Sequence, residues 1–176
     1  MAVVRMGYIL FVAYDNDAER KRIDYLLDKW SSRATVKKPR GMVFYIETDD
    51  AQGFLEELFS RLEGNAEEKV EVYEAREVRK TVKARRRRLE YTIDEEAKVV
   101  ERFIDYLLSK MNATQVESSG EEKTYSVYTR KGRGTIRLRV RNGGRTFVFF
   151  EIEGYGEVVD LLADRIDEEM KLFAGG

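Results

Sequence analysis

Residues 123–153 read KTYSVYTRKGRGTIRLRVRNGGRTFVFFEIE. Three strand-like runs follow one another here: Lys123 to Arg130, Thr135 to Arg141 and Arg145 to Glu153. Gly132 and Gly134 interrupt the first junction, and Asn142-Gly143-Gly144 the second. In the middle run Ile136, Leu138 and Val140 take one parity, and Arg137, Arg139 and Arg141 the other. Successive side chains of a strand point to opposite faces, so this strand has an apolar side and a basic side. Glycine-rich breaks between such runs read as hairpin turns, which need positive φ. They do not form a phosphate-cradling loop, because no Lys-Ser or Lys-Thr ending and no helix follows.

The same reading extends in both directions. Upstream, Leu89 to Ile93 is a predicted strand, Asp94 a cap, Glu95 to Met111 a helix and Thr114 to Glu117 a short strand. Downstream, Gly154 to Phe173 is a helix. The second half is therefore predicted as β-α-β-β-β-β-α. This order resembles one repeat of TATA-binding-protein-like folds, a resemblance of element order alone.

The first half is predicted as a ferredoxin-like β-α-β-β-α-β unit over residues 1–78. Tyr8 to Tyr14 is apolar on both parities, as in a strand covered on both faces. Helices are expected at Ala18 to Trp30, behind Asp15-Asn16-Asp17, and at Ala51 to Leu62, behind Asp49-Asp50. Ala34 to Lys37, Met42 to Glu47 and Lys69 to Val78 complete the strand set. A five-residue identity links the halves: Ile23-Asp24-Tyr25-Leu26-Leu27 recurs as Ile104-Asp105-Tyr106-Leu107-Leu108. The fold class expected is thus α+β: two tandem ferredoxin-like/TBP-like units over 1–78 and 89–176, each an antiparallel sheet with helices on one face. Residues 79–88 are a basic linker or strand between them. Gly41-Met42-Val43-Phe44-Tyr45-Ile46-Glu47 is also similar to a strand in the N-terminal domain of NusG-type transcription factors. Neither likeness identifies a family.

Composition narrows the chemistry. The chain has 176 residues, 43% hydrophobic and 37% charged, with a net charge of −1. A core can form, and opposite charges must be segregated or paired. Cysteine and histidine are absent, which removes disulfides, thiolate nucleophiles, Cys/His zinc sites and histidine acid–base catalysis. Few amides and many Glu, Lys and Arg residues match a heat-adapted source. No apolar run is long enough to span a bilayer and no signal-peptide pattern opens the chain, so a cytoplasmic protein is expected. No cofactor is implied. Asp15, Asp17, Asp49 and Asp50 could hold Mg²⁺, but helix capping explains them more simply. Catalysis is not expected; a nuclease, metal-independent or Mg²⁺-dependent, is the activity such a chain could most readily carry.

The candidate site is the basic side of the three runs. Arg130, Lys131, Arg133, Arg137, Arg139, Arg141 and Arg145 stand in a segment without acids. Phe147 and Phe149 share their side if Val148, Phe150 and Ile152 face the core, and Tyr128 can join them. Guanidinium groups beside exposed rings suit single-stranded nucleic acid: cations neutralise phosphates and rings stack on bases. The run Arg79 to Arg88, with Arg85, Arg86, Arg87 and Arg88 at its end, reads as a phosphate-binding strap or as a solvated linker or protected strand edge. The expected function is a non-catalytic RNA- or single-stranded-DNA-binding protein. The alternative is an assembly protein that forms a homodimer or a protein complex through its sheet faces. In that alternative the arginines pair with Glu151, Glu153 and the acidic last helix.

Overall fold

A computed structural model describes residues 7–76, 78 and 82–175. The chain divides into two compact units, Met1–Glu74 and Ala75–Gly176.

The second unit is built on a five-stranded antiparallel sheet. Its elements are β1 (Arg85–Ile93), a helix (Ala97–Lys110), β2 (Thr114–Ser119), β3 (Glu122–Thr129), β4 (Gly132–Asn142), β5 (Thr146–Gly154) and a C-terminal helix (Val158–Gly175). With the first-unit helices α1 (Asp17–Trp30), α2 (Ala51–Ser60) and α3 (Ala66–Lys69), these two become α4 and α5. Strand order is β1-β5-β4-β3-β2. The first strand of the unit therefore pairs with the last, while β2 to β5 form a meander. The predicted β-α-β-β-β-β-α order is the order observed, and the fold is α+β.

Alternation along the strands sets the core. Ile136 and Leu138 of β4, and Val148, Phe150 and Ile152 of β5, are buried against Val100, Ile104, Leu107 and Leu108 of α4 and Val159, Leu162, Ile166 and Met170 of α5. Phe103 of α4 stacks on Phe173 of α5, ring centroids 4.1 Å apart. Burying one large aliphatic side chain contributes about 1.5–3 kcal/mol, so this layer holds the unit together. The opposite side of the sheet is left uncovered within the unit.

Two glycines let α5 approach the sheet. Gly134 pairs with Gly154 across β4 and β5. A Cβ on Gly134 would lie 2.4 Å from Leu162 Cδ1, and one on Gly154 would lie 3.0 Å from Val158 Cγ1. The turns behave as their glycines predict: Gly132 between β3 and β4, and Gly144 between β4 and β5, have φ of +131° and +85°. Buried Thr146 donates its hydroxyl to the Glu95 carbonyl at 2.6 Å, tying the start of β5 to the loop before α4.

The first unit departs from expectation. Its two long helices form where predicted. Asn16 caps α1, accepting from the Glu19 N–H, and Asp50 caps α2, accepting from the Gly53 N–H. The strands expected at Tyr8 to Tyr14, Ala34 to Lys37, Met42 to Glu47 and Lys69 to Val78 make no ladder among the described residues, and Lys69 ends α3. A strand needs a partner edge, and a stretch apolar on both parities needs a cover on both faces. Tyr8, Leu10, Phe11, Met42 and Tyr45 are exposed instead. The ferredoxin-like sheet is therefore not part of the described first unit. The repeated pentapeptides lie on α1 and α4, but only α4 buries its copy. Among the described residues no helix is long and apolar enough to cross a membrane.

The glycine pair gives a direct test. Gly134→Ala should destabilise the protein by about 1–3 kcal/mol, the usual cost of forcing an extra carbon into a packed core. Urea unfolding measures it. Gly120→Ala, where a Cβ meets nothing within 4 Å but φ is +58°, should cost less, about 1 kcal/mol.

Candidate functional site

The uncovered side of the sheet carries Tyr128, Arg133, Arg137, Arg139, Arg141, Phe147 and Phe149 of the expected set. Register places Arg137 beside Glu151, Arg139 beside Phe149 and Arg141 beside Phe147. On the outer flank Arg86 lies beside Glu153, Arg88 beside Glu151 and Glu90 beside Phe149. On the inner flank Tyr128 faces Arg133 and Glu122 faces Arg139. Phe147 is 47% exposed. The Arg139 guanidinium lies 4.4 Å above the centroid of the Phe149 ring.

Most of these cations are already paired. Arg137 Nη1 donates to Glu151 at 2.9 Å and to Glu153 at 3.0 Å. Arg86 and Arg88 hold the same two carboxylates from β1, at 3.1 and 3.0 Å. Arg141 binds Glu121 at 2.9 Å, Arg145 binds Asp94 at 2.6 Å and Lys131 pairs with Glu157. Glu122 stands 3.5 Å from Arg139 Nε, an ion-pair distance that does not meet hydrogen-bond geometry and leaves this buried N–H without an acceptor.

Arg85 to Arg88 are paired in the same way. These residues are the start of β1, so they alternate between two sides. Arg86 and Arg88 reach the glutamates of β5. Arg85 and Arg87 turn to the helix side, where Arg85 binds Asp160 at 2.7 Å and Arg87 binds Asp164 at 3.0 Å. The basic run thus forms a strand edge carrying paired charge. Arg79 and Lys80 lie outside the described residues.

The electrostatic consequences follow from the partners. The guanidinium of Arg88, and then that of Arg137, hold the Glu151 carboxyl below the usual range against the effect of burial. Arg137 first, then Arg86, does the same for Glu153. Arg137 is in turn raised, chiefly by its bond to Glu153. On the helix side, Tyr91 donates to Asp167 at 2.8 Å. Burial first, and then that bond, push the Tyr91 hydroxyl well above its ordinary value.

No model of a known protein family matches the chain, and no curated protein matches it. The site has to be read from its own geometry.

One end of the surface differs from the centre. At the β3–β4 turn, Arg130 and Arg133 make no ion pair among the described residues. Arg133 Nε donates to Ser126 Oγ at 3.0 Å, and its guanidinium lies 5.6 Å from the Tyr128 ring centroid. Tyr128 and Tyr155 are 53% and 61% exposed. Register brings this turn level with the start of β1, since Arg85 pairs with Gly154 and Gly154 with Gly134. Lys83, exposed and two residues before β1, therefore belongs to the same end. Lys83 and Tyr155 were not among the sequence candidates. Tyr155 follows β5 between two glycines, a position whose only sequence signal is an aromatic residue in a turn. Asp15, Asp17, Asp49 and Asp50 form no metal-binding group among the described residues. Asp50 is a cap, and Asp17 pairs with Arg20 and Lys21.

Depressed carboxylates make the network pH-dependent. Their stabilisation is complete above the ordinary carboxylate value of 4.5 and is lost as pH falls through the lower folded values. Stability by urea unfolding should therefore drop below about pH 4.5. The Glu151→Gln/Glu153→Gln double variant should start less stable and show a shallower acid loss.

Proposed function

We propose that the second unit is a non-catalytic binding module for single-stranded nucleic acid, RNA or DNA, and that contact is made at the turn end of its open sheet surface. The observation that carries this reading is the contrast along the surface. Arg137 and Arg141 are hydrogen-bonded to carboxylates and Arg139 stands at ion-pair distance from Glu122, so a phosphate arriving there competes with a glutamate. At the β3–β4 end, Lys83, Arg130 and Arg133 lack such partners among the described residues; Arg133 lies 5.6 Å from the Tyr128 ring centroid, and register brings Lys83 and exposed Tyr155 to the same end. Cations that track a backbone next to rings that accept bases are the two parts such sites combine. The N-terminus of α5 adds to the same end, with Val158 Cβ 3.9 Å from the Cβ position of Gly132, and a helix N-terminus favours anions.

This reading narrows the sequence-derived set. Arg130, Arg133 and Tyr128 are retained as contacts, with Lys131 beside them. Arg137, Arg139, Arg141, Arg145 and Arg85 to Arg88 act mainly through their ion pairs, which shape the sheet beneath.

Fluorescence anisotropy with labelled single-stranded RNA and DNA tests the proposal. Binding should be present at about 50 mM salt and weaken sharply by about 200 mM. Arg130→Glu/Arg133→Glu should lower affinity at least about tenfold and make the salt dependence shallower by roughly one to two contacts. Arg141→Gln should change little. No binding at the lower salt, or equal loss from Arg141→Gln, would overturn the assignment.

A further inference from the structure

One ion pair at the β3–β4 end joins the turn to the start of α5. Lys131, in the turn, holds the carboxylate of Glu157 with 2.5 Å between Nζ and Oε2. Glu157 is the residue before α5, and its backbone carbonyl accepts from the Leu161 N–H at 3.1 Å, the first bond of that helix. The two elements pack together here, since a Cβ on Gly132 would lie 3.9 Å from Val158 Cβ. Two attractions therefore act on one carboxylate: the ammonium of Lys131 and the positive end of the α5 dipole. Both side chains stay exposed, 51% for Lys131 and 74% for Glu157, so an anion from solution can reach the pair.

We propose that Glu157 is an internal substitute for a phosphate: its carboxylate occupies Lys131 in the free protein, and a backbone phosphate of the bound strand displaces it. This inference rests on the nucleic-acid reading above and assigns a residue that sets the affinity of that site. A pair between exposed groups is weak and screened by salt, so Glu157 lowers affinity without closing the site. A phosphodiester carries the same single charge as a carboxylate, so Lys131 is neutralised before and after the exchange. Lys131 then joins Arg130 and Arg133 as a phosphate contact. It adds less to the salt dependence than an unpaired cation, because the released carboxylate takes up a counterion. The other paired cations are less suited to the exchange. Arg137 is bound by Glu151 and Glu153, both largely shielded from solvent. Arg85 holds both oxygens of Asp160 and the Gly156 carbonyl. Arg141 has an exposed pair with Glu121, but it lies at the far end of β4 from Arg133.

A double-mutant cycle on the full chain, read by anisotropy of labelled single-stranded RNA and DNA at about 50 mM salt, is the test. Glu157→Gln should raise affinity about two- to fivefold and steepen the salt dependence by up to roughly one contact. Glu157→Ser, which keeps a side chain able to cap α5, should give the same gain. Lys131→Ala should lower affinity, and Lys131→Ala/Glu157→Gln should bind no better than Lys131→Ala alone. Urea unfolding should show each variant close to wild type, since both positions are exposed. A gain from Glu157→Gln that persists in full without Lys131 would mark an acid acting through space and would overturn the proposal. So would the absence of any gain in a chain that binds and loses binding with Arg130→Glu/Arg133→Glu, a result that leaves the nucleic-acid reading standing. No binding by wild type and Glu157→Gln alike would remove both.

Discussion

The open surface of the second unit depends on arginines and glutamates of neighbouring strands neutralising one another across the sheet. Three arginines, Arg86, Arg88 and Arg137, share the carboxylates of Glu151 and Glu153 from both sides of β5. Each cross-strand ion pair contributes only about 0.2–1 kcal/mol, but a shared lattice resists the loss of any one member. It also solves a problem of composition. A chain so rich in charge with a net of −1 has to place opposite signs close together, and an alternating strand next to another alternating strand does this through its register. Heat-adapted proteins favour ion-pair networks of this kind because charged groups are less costly to desolvate at high temperature.

The network is uneven along the surface: at its centre three arginines share two glutamates. At its end, where β3 turns into β4, Lys131 pairs with Glu157 while Arg130 and Arg133 make no ion pair among the described residues. The helix layer fixes both regions, because α5 seats against the Gly134–Gly154 notch and presents Asp160 and Asp164 to the helix-side arginines of β1. Strand β1 is thereby held by acids on both of its sides.

Much of the second unit was legible in the sequence. Parity along Thr135 to Arg141 separated core from surface, and the glycine breaks marked the hairpins. Strand boundaries agree to within a few residues, and the choice of Val148, Phe150 and Ile152 as core put Phe147 and Phe149 on the open side. The pairing of Arg137 with Glu151 and Glu153 was foreseeable, since those glutamates share the parity of the phenylalanines. The fate of Arg85 to Arg88 was not. Their partners lie more than sixty residues away, at Glu151, Glu153, Asp160 and Asp164, and a basic run does not encode which acids the topology will bring to it. The first unit shows the opposite limit. Helical periodicity and caps are local, so α1 and α2 were readable; strands require partners, and the apolar pattern of Tyr8 to Tyr14 and Met42 to Glu47 specifies none.

A double-mutant cycle on Arg137 and Glu151, read by urea unfolding at neutral pH, addresses the network most directly. With Arg137→Ala, Glu151→Ala and the double variant, the account predicts a favourable coupling of about 0.5–2 kcal/mol that persists in added salt, because the pair is partly shielded from solvent. A coupling indistinguishable from zero, with full stability retained in each single variant, would contradict it.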